Sequence, residues 1–355
     1  MKKIIALLLA LIMVFAMVAC GSKEAAAPEK EEAPAAAPEK EEAPAKEEAP
    51  AEEEAPTEEE APAEKVKIGL ISFNEATESS ALIANGVREA AAAHDIELVT
   101  ADINGDQSQV VKNVDTLIQQ DVDAIIDATW NADVGAMVAQ KCRDAGVILI
   151  ACDCIYDDQT HMVGADNYTA GLTIGAYMAD YVKENWDGAV DYLVIVNEEA
   201  AGETTQLRMG GGIDAMRDAG IDLPEDKIFW FDSMGQMLKA KEVTTDFLTA
   251  HPDGKKILIG CLNDESGLGS LAAVQSSGRE ADCLIYSYGG EPSSAENFKK
   301  EENCWVATVN FNLPKYGELA IASILDILNG VERPLEQSPD LGVIDRSNVL
   351  EFYPD

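Results

Sequence analysis

Carboxylates, carboxamides and aromatic rings recur in this chain directly after short apolar runs. The stretches are Ser72-Phe73-Asn74-Glu75, Thr129-Trp130-Asn131, Cys152-Asp153-Cys154, Asn197-Glu198-Glu199, Asp232-Ser233-Met234, Leu262-Asn263-Asp264-Glu265, Tyr288-Gly289-Gly290-Glu291 and Asn310-Phe311-Asn312. Lys and Arg are scarce there, and Arg208 is the main basic exception. This chemistry suits a neutral polyol. Acids and amides exchange paired hydrogen bonds with adjacent hydroxyls, and ring faces cover the C–H surface of a sugar. Asp153 follows its apolar run directly and is expected to touch a ligand. Phe73 and Trp130 are the candidate stacking rings, with sheet-edge packing as the other reading of Trp130. Asn and Asp at such places also cap helices, and Asn167 and Asp133 are read as caps.

Other chemistries find little support. Three His residues and no HExxH or GxxxxGK[ST] run leave no metal cluster, nucleotide loop or cofactor site to expect. No GxSxG occurs, and the adjacent pairs Glu198/Glu199 and Asp264/Glu265 make a weak glycosidase signature because neighbouring side chains point apart. No enzyme is expected. Six cysteines follow Cys20. Most lie in apolar runs, where free thiols behave as small apolar residues; a redox or soft-metal pair at Cys152/Cys154 is the lesser reading.

The apolar runs must position these residues. Val66–Ser72, Ile96–Val99, Ala124–Ala128 and Val147–Ala151 read as buried strands, separated by helices over Ala81–Ala93, Val110–Gln120 and Val134–Ala145. The pattern restarts at a helix over Asn167–Lys183. Strands at 192–196, 228–231, 257–261, 283–287 and 305–309 follow, with helices at 207–218, 236–250, 267–276 and 316–328. About nine βα units exceed one ordinary open sheet. The fold class is α/β with two doubly wound lobes; a single (β/α)8 barrel is the alternative. Either way a ligand sits beyond the strand carboxyl ends.

The first sixty-four residues have another texture. Lys2 and Lys3 precede an apolar run, Ile4–Val18, and then Ala19-Cys20-Gly21-Ser22. This reads as a secretory signal with a lipobox, Cys20 becoming the lipidated N-terminus. Residues 21–64 repeat EEAPA-like units holding seven of the 14 prolines, and read as a disordered Glu/Ala/Pro-rich tether. The chain carries a net charge of −39, of which this tether accounts for −12 and the leader for +2, leaving −29 on residues 65–355. An acidic body disfavours nucleic acid and other polyanions and accepts a neutral or cationic ligand.

Residues 65–355 resemble the type I periplasmic binding proteins of the ribose- and galactose-receptor group. The resemblance rests on AGVILIACD (145–153), VGADNYTAG (163–171), AGETTQLRMGGG (201–212), FLTAHPD (247–253), CLNDESGLGSL (261–271) and SYGGEP (287–292). It implies two Rossmann-like lobes joined by three crossovers, 65–165 with 312–338 and 166–311 with 339–355. It also implies an ABC permease as partner, a monomeric receptor and an extracytoplasmic location. A sensor feeding a chemoreceptor or kinase is the alternative, with a secreted carbohydrate-active enzyme behind it. Carried over by motif, Asp153 matches the hydroxyl-binding acid and Asn263 the asparagine of the NDE motif. The loop 73–80, including Phe73 and Asn74, matches the first-strand loop. Arg208 lies near the second-lobe arginine, and Asn310 or Asn312 near the last-strand amide. Cys154 replaces the family's frequent Arg, and Gly289 replaces an acid for which Glu291 is the candidate substitute. A different sugar, a polyol or a solute with a cationic substituent is therefore open.

Overall fold

The computed structural model describes residues 65–300 and 303–354. The leader, Cys20 and the tether lie outside the described residues.

Two six-stranded sheets form the body. The first contains Lys67–Ser72 (β1), Glu97–Asp102 (β2), Ala124–Ala128 (β3), Ile148–Cys152 (β4) and His161–Val163 (β5). The second contains Tyr192–Asn197 (β6), Ile228–Asp232 (β7), Ile257–Cys261 (β8), Cys283–Gly289 (β9) and Trp305–Asn310 (β10). The chain then returns to the first sheet with Glu336–Gln337 (β11) and to the second with Gly342–Asp345 (β12). The orders are β11-β5-β4-β3-β1-β2 and β12-β10-β9-β8-β6-β7. Every strand pair is parallel except the antiparallel β10–β12 edge. The helices are Glu78–Ala93 (α1), Val110–Ile118 (α2), Ala132–Ala145 (α3), Asn167–Trp186 (α4), Glu203–Asp218 (α5), Met237–Ala250 (α6), Asp264–Ser276 (α7), Pro292–Phe298 (α8) and Pro314–Leu328 (α9).

Both faces of each sheet are covered, which is why the strands read as unbroken apolar runs. In β1, Ile68 and Leu70 pack with Ile83 and Val87 of α1, whereas Ile71 joins Val114 and Val138 on the opposite side. In β6, Leu193 and Ile195 pack with Met209 and Ile213 of α5, and Val194 and Val196 with Val243 and Phe247 of α6. The two-lobe expectation holds and the barrel does not. The chain crosses between sheets three times: from β5 to α4, from β10 to α9, and from β11 to β12.

Two helix pairs approach glycine to glycine, and α7 approaches the Met237 carbonyl of α6 through Gly269. Gly86 of α1 faces Gly317 of α9, and Gly171 and Gly175 of α4 face Gly211 and Gly212 of α5. A Cβ at Gly171 would run into the Arg208 carbonyl, so this contact also fixes where Arg208 stands.

The segments 161–163, 292–298, 336–337 and 342–345 carry no periodic apolar signal long enough to read. β11 is two residues at an edge, and α8 is a short helix started by Pro292. The six described cysteines are free and buried. No helix among the described residues is long and apolar enough to cross a membrane.

Candidate functional site

The carboxyl ends of both sheets face a cleft of about 430 Å³. Strained strand exits shape it. Trp130, Asp153 and Met234 have φ of 56°, 54° and 54°, a left-handed conformation that Asp tolerates and that the bulkier Trp130 and Met234 adopt only when their surroundings enforce it. Each lines the cleft.

Asp153 and Arg208 meet across the lobes. The Arg208 guanidinium donates from Nη2 to Asp153 Oδ2 at 2.8 Å, from Nε to Asn167 Oδ1 at 2.8 Å and from Nη1 to the Leu262 carbonyl at 2.7 Å. It also lies over the Phe311 ring, 4.7 Å from the centroid. Asp153 Oδ1 accepts the Ala165 N–H at 3.0 Å and the Tyr316 hydroxyl at 3.2 Å. Burial pushes the Asp153 carboxyl up, against the pull of Arg208, the Ala165 N–H and the Tyr316 hydroxyl. A carboxylate oxygen has two lone pairs, so Oδ2, with one bond, retains an acceptor position for a solute. A second cross-lobe bond runs from the Ser293 N–H of α8 to Glu78 Oε2 of α1 at 3.1 Å.

Phe73 and Trp130 stand together on the first lobe, with ring centroids 5.5 Å apart and planes tilted by 50°. Both line the cleft, so Trp130 is no mere sheet-edge packer. Asn74 lines it too, although its Oδ1 is engaged by the Ala76 N–H at 3.1 Å.

Two asparagines exchange expected roles. Asn263 is the N-cap of α7: its Oδ1 accepts the Ser266 N–H at 2.8 Å and its Nδ2 donates to the Gly235 carbonyl at 3.0 Å. It stands in the cleft wall with one N–H left over. Asn167, read as a cap, is instead the first residue of α4 behind the cap Asp166, and it holds Arg208. Asp133 is likewise not the cap of α3; that position is Asn131.

Asn310 is not among the residues lining the cleft. Its Oδ1 turns to the Asn312 N–H at 2.8 Å. Side chains alternate along an extended chain, and Phe311, between the two amides, is the one that faces inward. Asn312, like Asn310, is not among the residues lining the cleft.

Glu291 does reach the cleft. Its backbone N–H donates to Asp264 Oδ2 at 2.7 Å, and the Ser287 and Thr308 hydroxyls bond Asp264 Oδ1. Asp264 thereby ties the ends of β9 and β10 together under Glu291. Burial, then the charges of Asp264, Glu78 and Glu265, push the Glu291 carboxyl well above the ordinary range.

Glu198, Glu265, Thr204, Thr205 and Tyr288 also line the cleft. Glu198 was visible after its strand, but nothing in the sequence distinguished it from exposed Glu199. Burial raises Glu198 from the ordinary 4.5 to about 7; Arg208 opposes that rise and Asp232 adds to it. A raised carboxyl favours folding while protonated. That contribution is complete below about pH 4.5 and is lost as pH rises through about 7. Glu198→Gln should therefore gain stability over the parent at pH 8 but not at pH 4, as read by urea unfolding at both pH values. Equal gains at both would mean that packing, not ionisation, sets the effect.

The periplasmic binding protein domain family matches residues 68–332. The chain belongs to that family. A D-ribose/D-allose-binding protein of Pseudomonas aeruginosa is 28% identical over 238 residues, 63% of this chain and 71% of that protein. A ribose import binding protein of Bacillus subtilis is 26% identical over 247 residues, 69% of this chain and 76% of the relative. Among solved structures, a solute-binding protein from Mycobacterium smegmatis, with bound glycerol, has a TM-score of 0.72 at 20% identity. It covers 82% of this chain and 98% of its own. One from Actinobacillus succinogenes, with bound D-allose, has a TM-score of 0.69 at 24% identity, covering 81% and 100%. At such identity the structures speak to the fold, and they agree with a type I periplasmic binding protein.

Proposed function

We propose that this chain is the extracytoplasmic solute-binding component of an ABC transporter, and that it captures one small polar solute, a sugar or polyol, between its lobes. The observation that carries this reading is the cleft itself. It lies at the carboxyl ends of two doubly wound sheets, is bridged by Asp153 and Arg208 from opposite lobes, and is walled by the rings of Phe73, Trp130 and Phe311. The ribose-, allose- and xylitol-binding names of its relatives support the same class of solute. A closed pair of lobes then presents a composite face to a permease.

The reading includes binding without turnover. Neither adjacent acid pair turns both members inward: Glu198 lines the cleft while Glu199 is exposed, and Glu265 lines it while Asp264 spends both oxygens on internal bonds. It also includes anchoring through a lipidated Cys20, with 21–64 as spacer between membrane and a monomeric body.

A thermal-shift screen of the purified protein against monosaccharides, polyols, nucleosides and amino acids tests it. A solute at a hundred times its dissociation constant should stabilise by roughly 2.7 kcal/mol. A shift from nucleosides or amino acids alone would remove the sugar assignment. Trp130→Ala and Phe311→Ala should each weaken the stabilising solute about tenfold or more, because truncating a ring at the centre of a buried contact costs the most. Titration calorimetry reads this, and unchanged affinity would place the solute elsewhere.

A further inference from the structure

Beyond Asp153, three carboxylates line the cleft, Glu198, Glu265 and Glu291, and the sole Lys or Arg among the lining residues is Arg208. That guanidinium has its charge matched by Asp153 and gives three of its five N–H groups to Asp153, Asn167 and the Leu262 carbonyl. Glu291 is 1% exposed and its Oε2 has no hydrogen-bond partner. Of the acids that press on it, Asp264 is satisfied by hydroxyls and an N–H, and Glu78 accepts the Ser293 N–H. Glu265 has no hydrogen-bond or ion-pair partner among the described residues, and its carboxyl too is raised by burial and by Glu78.

An unpartnered buried acceptor beside like charges is costly. A neutral hydroxyl gives it one hydrogen bond and leaves the crowded acids favouring their protonated form. An ammonium group gives up to three donors and favours the ionised carboxylates instead. We propose that the cleft selects solutes carrying a protonated amine, an amino sugar or amino polyol, with the ammonium group seated between Glu265 and Glu291. The hydroxylated remainder lies against Phe73 and Trp130 and reaches the free acceptor position of Asp153. This inference rests on the reading of the chain as a polar-solute receptor and narrows its substrate class.

The test is calorimetric titration with matched pairs: D-glucosamine against D-glucose, D-galactosamine against D-galactose, and 1-amino-1-deoxy-D-sorbitol against D-sorbitol. The amine of at least one pair should bind about tenfold or more tighter than its neutral partner, the scale of one well-placed charge pair. Glu291→Gln and Glu265→Gln keep shape and remove charge, and each should collapse that preference. Glu199→Gln, on the exposed neighbour of Glu198, should retain it. Equal or tighter binding of the neutral partners would overturn the amine assignment while leaving polar-solute capture standing. An amine preference that survives both variants would overturn its placement. No binding by either member of any pair would overturn the amine assignment, and the wider solute screen then decides separately whether a polar solute is captured.

Discussion

Asp153→Ala is expected to destabilise the folded protein by about 3–5 kcal/mol, because it leaves the buried Arg208 charge without its partner. The Arg208 side chain is 5% exposed and that of Asp153 is 12% exposed. The Tyr316 hydroxyl loses its acceptor as well, and the Ala165 N–H keeps only the Tyr316 oxygen, 2.8 Å away. Asp153 is thus both a cleft residue and the cross-lobe partner that holds Arg208 in place. Asp153→Asn keeps the shape and part of the hydrogen bonding, so it should cost less stability and still lose the solute. Urea unfolding beside titration separates the two effects. An Asp153→Ala protein as stable as the parent would mean that Arg208 finds another partner when the lobes move apart.

The second large effect is a pair of opposite sign on one helix. Gly210 and Gly211 are neighbours in α5, yet a Cβ at Gly210 meets nothing within 4 Å, whereas one at Gly211 runs into the Tyr168 carbonyl of α4. Gly210→Ala should stabilise by about 0.5–1 kcal/mol through helix propensity. Gly211→Ala must push two helix backbones apart, and should destabilise by about 1–3 kcal/mol or more. The separation also pulls Asn167 on α4 away from Arg208 on α5, so solute affinity should fall with stability. Thermal unfolding of both variants reads the sign. Two destabilised proteins of equal degree would mean that the whole glycine triplet, not one face of it, sets the helix contact.

Much of the fold was legible because parallel strands buried on both faces leave a simple signal. β3 and β8 read to the residue, and the other long strands to within a few residues. The short edge strands β5, β11 and β12 were not legible, because what fixes them is pairing with a neighbour rather than their own composition. For the site, the strand-end rule found Phe73, Trp130, Asp153 and the stretch holding Glu291. It could not tell a cap from a contact. Asn263 and Asn167 are the same residue type at helix starts, and only the third dimension shows that one bonds its own helix while the other holds Arg208. Nor could it show that Arg208, on a helix rather than a strand end, is the partner of Asp153. Left-handed Trp130 has no sequence mark at all, since backbone strain at a strand exit is imposed by what surrounds it.

The most direct test of capture in this cleft is titration calorimetry with the solute that stabilises the protein most, on the parent and on Asp153→Asn. The account predicts one site per chain in the parent and no measurable heat of binding in the variant, with both proteins folded. Undiminished binding by Asp153→Asn, or more than one site per chain, would contradict it.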